Sequence, residues 1–355
     1  MKKVAIICNY PLQIDRIGGM DRFFWLFDKK GKENNLQMDW YFSDFANYEG
    51  YSTMNIISAN NEKPESFFLQ KIKSENLKYD FVITHFLELC TPFFKEIKQF
   101  YPAKIICIDH NPRPLEGFPT LKKIKNAIKG ILYSKYIDQF VGVSDYSKKH
   151  ILKDYGFFLK SKTKVIHNGI DVSVFIKREI LNKNKFIVTS HLRHSKGIQD
   201  ILKALNLLDP VLRNEIVIDI YGDGPYKNEL KNLCETYNLN KIVNFKGNSS
   251  ELNILYSKYS YLIQPSYGET FCYSVIESLI CNVPVITTFE AGNVLSIIEH
   301  NKNGFLFNAG NAEQLSIILK NCIKNQLILN PEINIKIHNQ FSLQKMVENH
   351  LKLLQ

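Results

Sequence analysis

The sequence predicts an α/β fold built from two doubly wound domains. Short apolar runs alternate with helical stretches along all 355 residues, a pattern typical of parallel sheets covered by helices on both faces. The pattern restarts after HNGIDVSVF (167–175), and a chain of this length usually forms two domains. We therefore expect one domain at 1–172, a second at 173–337, and a final helix at 338–355 that crosses back to the first domain.

The apolar runs predict the strands in chain order. In the first domain the strands are predicted at Val4–Cys8, Asp39–Phe42, Phe81–Thr84, Lys104–Ile108, Gln139–Val143 and Lys164–Ile166. In the second domain they are predicted at Phe186–Ser190, Val217–Tyr221, Val243–Phe245, Tyr261–Ile263, Val285–Thr287 and Gly304–Phe307. Helical patterns such as Gln199–Leu208 and Tyr226–Tyr237 lie between strands, and the charged stretch Lys177–Lys185 is predicted to link the domains. Ligands of such sheets bind beyond the carboxyl ends of the strands, so the expected site is a cleft where the domains face each other.

The composition favours a globular cytoplasmic protein. Hydrophobic residues make up 45% and charged residues 23% of the chain, and the seven cysteines are scattered without a CxxC pair, which indicates reduced thiols. No apolar run reaches the roughly 18 residues that a membrane-spanning helix needs, and MKKVAIICNY is better explained as a first strand than as a signal peptide. The net charge of +10 raises nucleic acid or anionic membrane as partners. No aromatic-interleaved RNA-binding motif is present, so nucleic acid is not expected.

The segment 119–136 carries five lysines and no acidic residue. Its spacing predicts a basic amphipathic helix, which could lie on anionic lipid at the inner face of the cytoplasmic membrane. A solvated helix packed on its own domain is an equally good interpretation of the same pattern. The apolar side chains that recur at helical spacing are Leu121, Ile124, Ile128, Ile131 and Leu132.

The segment ETFCYSVIE (269–277) is the most informative part of the chain. Glu269 follows a loop opened by Pro265 and Gly268, and Glu277 lies eight residues later in an apolar helical run. A helix that begins near Phe271 would direct its free N–H groups and positive dipole end at a phosphate, while the carboxylates would accept hydrogen bonds from hydroxyls. A nucleotide sugar has both of these chemical parts.

Two further loops follow the first strand of each predicted domain. Gly18 and Gly19 precede a helix and permit close backbone approach to a phosphate, although an ordinary strand-to-helix turn has the same pattern. Arg193 and Lys196 flank a turn that ends at Gly197, and two cations at the carboxyl end of a strand suit a diphosphate. Surface charge is the alternative explanation for those cations.

Other motifs are weaker or absent. Gly222 lies in YGDGP (221–225), which indicates a tight turn that closes a pocket, and His110 follows the strand KIICI at its carboxyl end. His85 follows FVIT in the same way and is a weaker candidate. Metal chemistry is not expected, because the sequence has no DxD and no His/Cys cluster with ligand spacing. A serine hydrolase is excluded by the lack of a GxSxG elbow, and a Rossmann dehydrogenase by the lack of GxGxxG.

Taken in order, these motifs resemble the retaining GT-B glycosyltransferases of family 4, the glycosyl transferases group 1 family. The resemblance covers nearly the whole chain and is strongest from about His167 to Phe307. It implies the GT-B fold, in which an N-terminal acceptor-binding and a C-terminal donor-binding Rossmann-like domain face each other across a cleft. The motifs that carry it are GGMD (18–21), HNGID (167–171), R-x-x-K-G (193–197), YGDGP (221–225) and ETFCYSVIE (269–277).

The resemblance also implies roles for the matched residues of the second domain. Glu277 would hold the ribose hydroxyls of the nucleotide, and Glu269 would bind hydroxyls of the donor sugar. The backbone of Phe271–Tyr273 would cradle the sugar and phosphate. Arg193 and Lys196 would neutralise the diphosphate as it gains charge, in the place that a metal ion takes in other enzymes.

In the first domain the resemblance implies that Gly18 and Gly19 approach the β-phosphate and that His110 lies beside the donor sugar. The chain departs from the family pattern at three positions. Cys272 stands where the motif has glycine, His191 where many relatives have arginine, and Asp21 where glutamate is frequent.

The expected function is therefore retaining transfer of a hexosyl unit, with a UDP-sugar as the expected donor. The acceptor would be a glycan or lipid-linked glycan in bacterial capsule or lipopolysaccharide biosynthesis, and no metal or other cofactor is expected. A nucleotide-sugar epimerase or phosphorylase of the same fold is one alternative. A non-catalytic, membrane-associated partner subunit is another, and the loss of the motif glycine at Cys272 is its support.

Overall fold

The computed structural model describes residues 1–13, 17–45, 48–179, 184–324, 327, 329 and 331–355. Its strands are β1 (Lys2–Cys8), β2 (Leu36–Phe42), β3 (Asn55–Ser58), β4 (Phe81–His85), β5 (Lys104–Asp109), β6 (Gln139–Gly142), β7 (Thr163–Val165), β8 (Lys185–Thr189), β9 (Val217–Tyr221), β10 (Val243–Gly247), β11 (Tyr261–Gln264), β12 (Val285–Thr288) and β13 (Gly304–Phe307). Its α-helices are α1 (Gly19–Glu33), α2 (Pro64–Ser74), α3 (Pro92–Phe100), α4 (Thr120–Tyr133), α5 (Asp145–Tyr155), α6 (Ile198–Asn206), α7 (Pro210–Arg213), α8 (Lys227–Thr236), α9 (Leu252–Leu255), α10 (Tyr273–Ile280), α11 (Ala312–Lys324), α12 (Pro331–Phe341) and α13 (Leu343–Leu351).

The chain divides into two compact units. The N-terminal unit contains Met1–Ile170 and Leu343–Gln355, and the C-terminal unit contains Asp171–Ser342. The predicted final helix at 338–355 is in fact two helices, because α12 ends at Phe341 within the C-terminal unit and α13 begins at Leu343. The N–H group of Leu343 donates to the carbonyl of Ile170 at 2.8 Å, and α13 packs against α1.

The N-terminal unit is built on a parallel sheet with the strand order β3-β2-β1-β4-β5-β6-β7. Its central strand β1 is buried from Val4 to Cys8, and Ile6 lies opposite Trp40 of β2 and Ile83 of β4. Helices cover both faces, which explains why the strands are continuous apolar runs rather than alternating ones. The order of the strands reverses between β1 and β4, and loops at such a reversal commonly form a binding site.

The C-terminal unit repeats this arrangement with the strand order β10-β9-β8-β11-β12-β13, again parallel. Leu202 and Leu205 of α6 and Leu315 and Leu319 of α11 are fully buried in its hydrophobic core. The order reverses between β8 and β11, so the segments after these two strands meet at one edge of the sheet. Both sheets confirm the doubly wound α/β prediction.

Two details differ from the sequence prediction. Strand β3 is not among the predicted strands, and its residues are exposed or half-buried at the sheet edge, so it lacks the apolar run that identified the others. The predicted linker Lys177–Lys185 is partly packed, because buried Arg178 donates to the carbonyls of Tyr259 at 3.2 Å and Ser260 at 2.8 Å. Residues 180–183 of that linker lie outside the described part of the chain.

All seven cysteines are buried and unpaired. In the described residues no helix is both long enough and apolar enough to cross a membrane.

Candidate functional site

The loops after β8 and β11 meet at the point where the strand order of the C-terminal unit reverses. The N–H group of Tyr267 donates to the carbonyl of Ser195 at 2.9 Å. Gly197 has φ +70°, and a Cβ atom there would lie 2.0 Å from the carbonyl oxygen of Pro265. Only glycine allows the two loops to approach this closely, which explains the glycine at the last position of the R-x-x-K-G motif. The close approach holds Lys196 of that motif beside the loop after β11.

The closest contact between these loops is an ion pair. Lys196 Nζ lies 2.6 Å from Glu269 Oε1, and the two side chains are 24% and 12% exposed. Glu269 Oε1 also accepts hydrogen bonds from Gln264 Nε2 at 2.9 Å and Ser266 Oγ at 2.7 Å. Three donors thus fix one carboxylate oxygen, whereas no described residue donates a hydrogen bond to Oε2. The geometry leaves Oε2 as an acceptor for a ligand hydroxyl.

Two threonines of the neighbouring strand β12 hydrogen-bond to the base of this loop. Thr287 Oγ1 donates to Gln264 Oε1 at 2.6 Å, and Thr288 Oγ1 donates to the carbonyl of Ser266 at 2.5 Å. Both threonines are fully buried in β12. Strand β12 therefore orients the side chain of Gln264 and the backbone of Ser266, the two residues that hold Glu269 together with Lys196. The sequence analysis missed this supporting network because no motif marks it.

Helix α10 begins at Tyr273, two residues after the predicted start, with Cys272 at its N-cap position. No side chain caps this end by a hydrogen bond, so its first N–H groups and the dipole favour an anion. Cys272 is 4% exposed, and its Sγ lies 3.4 Å from Ser274 Oγ. Burial and the nearby charge of Glu269 raise the pKa of the Cys272 thiol to about 12. This thiol is protonated at neutral pH and is not a nucleophile.

Glu277 lies on the second turn of α10, where a buried tyrosine orients it. The hydroxyl of Tyr256 donates to Glu277 Oε2 at 2.9 Å and lies 2.7 Å from Thr189 Oγ1 at the end of β8. Tyr256 is fully buried, so the position of its hydroxyl is fixed by packing. The sequence analysis identified Glu277 but missed Tyr256, which lies in a short helical turn without a recognisable motif.

The other site residues predicted in the C-terminal unit are Arg193 and Gly222, and their surroundings differ from each other. Arg193 is exposed, and within the described chain its side chain has no carboxylate partner, so the structure does not bring it to the Lys196–Glu269 pair. Gly222 has φ +129°, and a Cβ atom there would lie 1.9 Å from the carbonyl oxygen of Ser190. Its N–H group donates to the carbonyl of Gly247 at 2.8 Å. Gly222 therefore joins the loops after β8, β9 and β10.

In the N-terminal unit, Asp21 caps α1. Its Oδ2 accepts hydrogen bonds from the N–H group of Gly18 at 2.8 Å and from Tyr10 Oη at 3.0 Å, and the hydroxyl of Tyr51 donates to its Oδ1. Asp21 is fully buried. The N–H group of Gly18 is thus used within the protein, while Gly19 is the first residue of the helix. A phosphate could accept a hydrogen bond from the N–H group of Gly18 only if the hydrogen bond from Gly18 to Asp21 broke.

His110 belongs to a buried cluster of three imidazoles. His85 Nδ1 lies 3.0 Å from His110 Nε2, and the ring of Phe86 stacks on His110 with the centroids 4.3 Å apart. His350 on α13 lies with its ring centroid 6.3 Å from that of His85, and its Nδ1 lies 2.7 Å from the carbonyl oxygen of Met346. Sequence reasoning missed His350, because the sequence separates it from His110 by more than half of the chain.

Burial makes all three rings neutral. It lowers the pKa of His110 to about 3, that of His350 to about 4, and that of His85 well below its ordinary value. At neutral pH the His110 ring is therefore uncharged and can take part in hydrogen bonds but not in an ion pair. In the described part of the chain no group of three or more His, Cys, Asp or Glu side chains is arranged to hold a metal ion.

Comparisons with known proteins agree with this architecture. The family model described as Glycosyl transferases group 1 matches residues 171–339, and the model described as Glycosyltransferase Family 4 matches residues 61–174. The doubly wound units and their motifs are those of a GT-B glycosyltransferase. Together the two models span residues 61–339, and they place the chain among the glycosyltransferases that these models describe.

Individual relatives are distant. An uncharacterised glycosyltransferase of Methanocaldococcus jannaschii is 27% identical over 209 residues, which are 57% of this chain and 56% of that protein. The chain thus matches about half the length of that relative. The O-antigen biosynthesis glycosyltransferase WclY of Escherichia coli is 23% identical over 336 residues, 89% of each chain. The solved structure of Anabaena HepE in complex with UDP has a TM-score of 0.78 at 16% identity, covering 100% of this chain and 99% of that one. A second structure of HepE contains UDP-glucose.

Proposed function

We propose that this protein is a retaining glycosyltransferase that moves a hexosyl unit from a UDP-sugar to a glycan or lipid-linked glycan of a bacterial surface polysaccharide. The observation that carries the proposal is the Lys196–Glu269 pair, which lies where the strand order of the C-terminal unit reverses. There it supplies a cation and a carboxylate oxygen, Glu269 Oε2, to which no described residue donates a hydrogen bond. The UDP-glucose complex of HepE and the O-antigen role in the name of WclY support the donor and the destination.

In this proposal the C-terminal unit holds the donor. Lys196 and the N-terminal end of α10 neutralise the diphosphate, whose charge grows as the glycosidic bond breaks. Glu269 Oε2 accepts a hydrogen bond from a hydroxyl of the donor sugar, and Glu277, held by Tyr256, accepts from the ribose. Arg193 reaches the diphosphate only when the donor is bound, which is consistent with its exposed side chain.

The proposed reaction proceeds on one face of the sugar. The bond from the anomeric carbon to the diphosphate breaks, the bond to the acceptor oxygen forms, and the departing diphosphate takes the proton of the acceptor hydroxyl. No carboxylate nucleophile is required. His110, with its pKa lowered to about 3, contributes a hydrogen bond beside the sugar and not a proton transfer. Lys196 and the helix dipole replace a metal, so EDTA should not reduce turnover.

The donor assignment is tested with a panel of UDP- and GDP-sugars. Mass spectrometry follows hydrolysis and transfer by the wild type, Lys196→Ala and Glu277→Ala. We expect hydrolysis of at least one UDP-sugar by the wild type, and a loss in each variant of about 2–4 kcal/mol of transition-state stabilisation from charge-assisted contacts. Near-normal turnover in both variants would remove the proposal. NMR of the anomeric proton of the product tests retention.

Helix α4 is the proposed contact with the membrane. Its apolar side chains face outward and not into the unit, and they occupy one arc of about 100° on the helix. Gly130 on the opposite side approaches α5 so closely that a Cβ atom would lie 1.9 Å from the carbonyl oxygen of Tyr155. The apolar side chains and their exposed fractions are Leu121 (76%), Ile124 (52%), Ile128 (50%), Ile131 (68%) and Leu132 (50%).

The lysines of α4 supply the matching charge. Lys122 and Lys129 lie 2.9 Å and 2.8 Å from Glu88 Oε1, while Lys123 and Lys125 are exposed. A helix with an outward apolar face and flanking cations is suited to the interface of a bilayer that contains anionic lipid.

Liposome co-sedimentation tests this contact. The variant with Leu121→Ser and Ile131→Ser should bind anionic vesicles less than the wild type. The control carries Leu207→Ser and Val211→Ser, which replace side chains of 54% and 72% exposure in the C-terminal unit. Equal recovery of the wild type with neutral and anionic vesicles would contradict the proposal, as would equal binding by both variants.

A further inference from the structure

We infer that an uncharged pocket along the edge strand β13 is a carbohydrate-binding site of the C-terminal unit, separate from the donor residues, and that it takes a neutral sugar unit of a glycan. The pocket lies between β13 and α11, and its volume of about 460 Å³ is in the range of small-molecule sites. Strand β12 separates β13 from β11, the strand that precedes the Glu269 loop. The pocket is therefore not part of the donor site described above.

The lining of the pocket carries no charge. Among the described residues that line it there is no aspartate, glutamate, lysine or arginine. Charged residues make up 23% of the whole chain, so an uncharged lining at the protein surface is unusual for this molecule. A phosphate or a carboxylate needs a countercharge, and this lining supplies none. The occupant that suits the pocket is therefore neutral.

The floor of the pocket is apolar. Phe307 and Ile318 are buried and Phe305 is half-buried, whereas Phe289 and Ile317 are 56% and 60% exposed. One face of a hexose ring consists of C–H groups and packs favourably on such side chains, on a phenylalanine ring above all. The accessible ring of Phe289 is the feature that would hold this face of a sugar.

Accessible imidazole and amide groups surround this apolar floor. The N–H group of Leu306 donates to His300 Nδ1 at 3.0 Å, so the ring proton of His300 lies on Nε2 and is left as a donor. The N–H group of Asn308 donates to Gln314 Oε1 at 2.8 Å, which leaves the NH₂ group of Gln314 as a second donor. Sugar hydroxyls match such a ring of neutral donors and acceptors. The exposed lining amides that form no side-chain hydrogen bond with a described residue are those of Asn301, Asn308 and Asn321.

The hydrogen bonds along β13 disfavour a peptide as the occupant. An edge strand usually accepts a further strand through its free backbone groups. Here the N–H groups of Leu306 and Asn308 are already bound to side chains, and the carbonyl of Gly304 accepts from the N–H group of Asn301 at 2.9 Å. The backbone of β13 is thus occupied, and the groups that remain for a ligand are side chains.

A glycan bound at this edge would be attached to the enzyme at a point away from the donor residues. Such attachment raises the effective concentration of a polymeric acceptor at the enzyme. This consequence rests on the proposed function, whereas the carbohydrate-binding site itself does not. The two proposals can therefore fail separately.

Saturation-transfer NMR on the full-length protein tests the site, with UDP present to fill the donor site. Maltotetraose, cellotetraose and chitotetraose are the neutral probes, and tetragalacturonate is the acidic one. We expect the wild type to bind at least one neutral probe in preference to tetragalacturonate. Phe289→Ala and Asn321→Ala replace exposed side chains of the pocket. Each should weaken that binding by about three-fold or more, because one ring contact or one hydrogen bond is lost.

Phe157→Ala and Asn232→Ala are the matched controls. Phe157 is 73% exposed in the N-terminal unit, and Asn232 is an exposed amide on α8. We expect both controls to bind the neutral probe as the wild type does, and all four variants to keep UDP binding and donor hydrolysis.

Unchanged probe binding in both pocket variants, no binding of a neutral probe by the wild type, or a preference for tetragalacturonate would overturn the inference. A wild-type dimer that Phe289→Ala dissociates in sedimentation experiments would also overturn it, because a second copy of the chain would then cover this surface. A wild type that binds the neutral probe but neither UDP nor a UDP-sugar would instead defeat the proposed function and leave the carbohydrate-binding site standing.

Discussion

Replacing Glu269 by glutamine is the sharpest perturbation of the donor site, because it removes the charge and keeps the shape. In the wild type, Lys196, Gln264 and Ser266 hold Oε1, and Oε2 is left for the ligand. In Glu269→Gln the amide oxygen takes the place of Oε1 and keeps these donors. The amide NH₂ then lies where the ligand hydroxyl should find an acceptor.

The expected loss is that of one charge-assisted hydrogen bond, about 1.5–3 kcal/mol. It corresponds to about a ten- to 150-fold decrease in kcat/KM for the donor. Stability should change little, because Ser266 and Gln264 still have an acceptor. A loss of about 1 kcal/mol would lower Tm by about 2–4 °C for a unit of this size.

The assay is donor turnover followed by chromatography of released UDP, together with thermal melting. Glu299→Gln is the matched control, because Glu299 forms an ion pair of the same 2.6 Å length with Lys302 but is 60% exposed. We expect the control to retain full activity. A folded Glu269→Gln enzyme with kcat/KM within two-fold of the wild type would refute the role assigned to the Oε2 atom.

Three further predictions follow from the same structure. Burial lowers the pKa of His350 to about 4, so the folded state binds a proton less readily than the unfolded state, and the free energy of unfolding is full above pH 6.5 and falls as the pH drops towards about 4. Urea melts at pH 7, 6 and 5 measure how steeply the free energy of unfolding changes with pH. In a folded His350→Gln variant this dependence should be smaller by about 1.4 kcal/mol per pH unit. Gly222→Ala should lower the free energy of unfolding by more than about 2 kcal/mol, because the new Cβ atom would collide with the carbonyl oxygen of Ser190. Gly310→Ala should lower it less, because Gly310 has φ +81° but open space around it. Equal losses in urea melts would contradict this prediction. Cys272→Gly should raise kcat/KM for a bulkier N-acetylhexosamine donor relative to a hexose donor, and an unchanged ratio would show that Cys272 does not set donor choice.

Much of the fold could be predicted from the sequence, because parallel strands covered on both faces are continuous apolar runs. The doubly wound class is confirmed, and the predicted strands are present with shifted ends, as in β2, which begins at Leu36 and not at Asp39. Strand β3 escaped prediction because a short, half-exposed edge strand has no such run. The break between α12 and α13 was also missed, because the residue between them, Ser342, is neither glycine nor proline.

The site was predictable where a residue belongs to a local motif. Glu269 and Lys196 were each identified from their own loops, and the structure brings them into contact. Tyr256 and His350 were not found, because their importance comes from contacts with residues far away in the sequence. The outward direction of the apolar face of α4 was undecidable too, since periodicity shows that a helix is amphipathic but not which side meets its own domain.

The central claim is that the C-terminal unit binds a nucleoside diphosphate through Lys196. Isothermal titration of UDP into the wild type and into Lys196→Ala tests it most directly. The account predicts a single site in the wild type and at least about ten-fold weaker binding in the variant, the loss of one charge-assisted contact. Equal affinity in the two proteins, or no binding of UDP to the wild type, would contradict it.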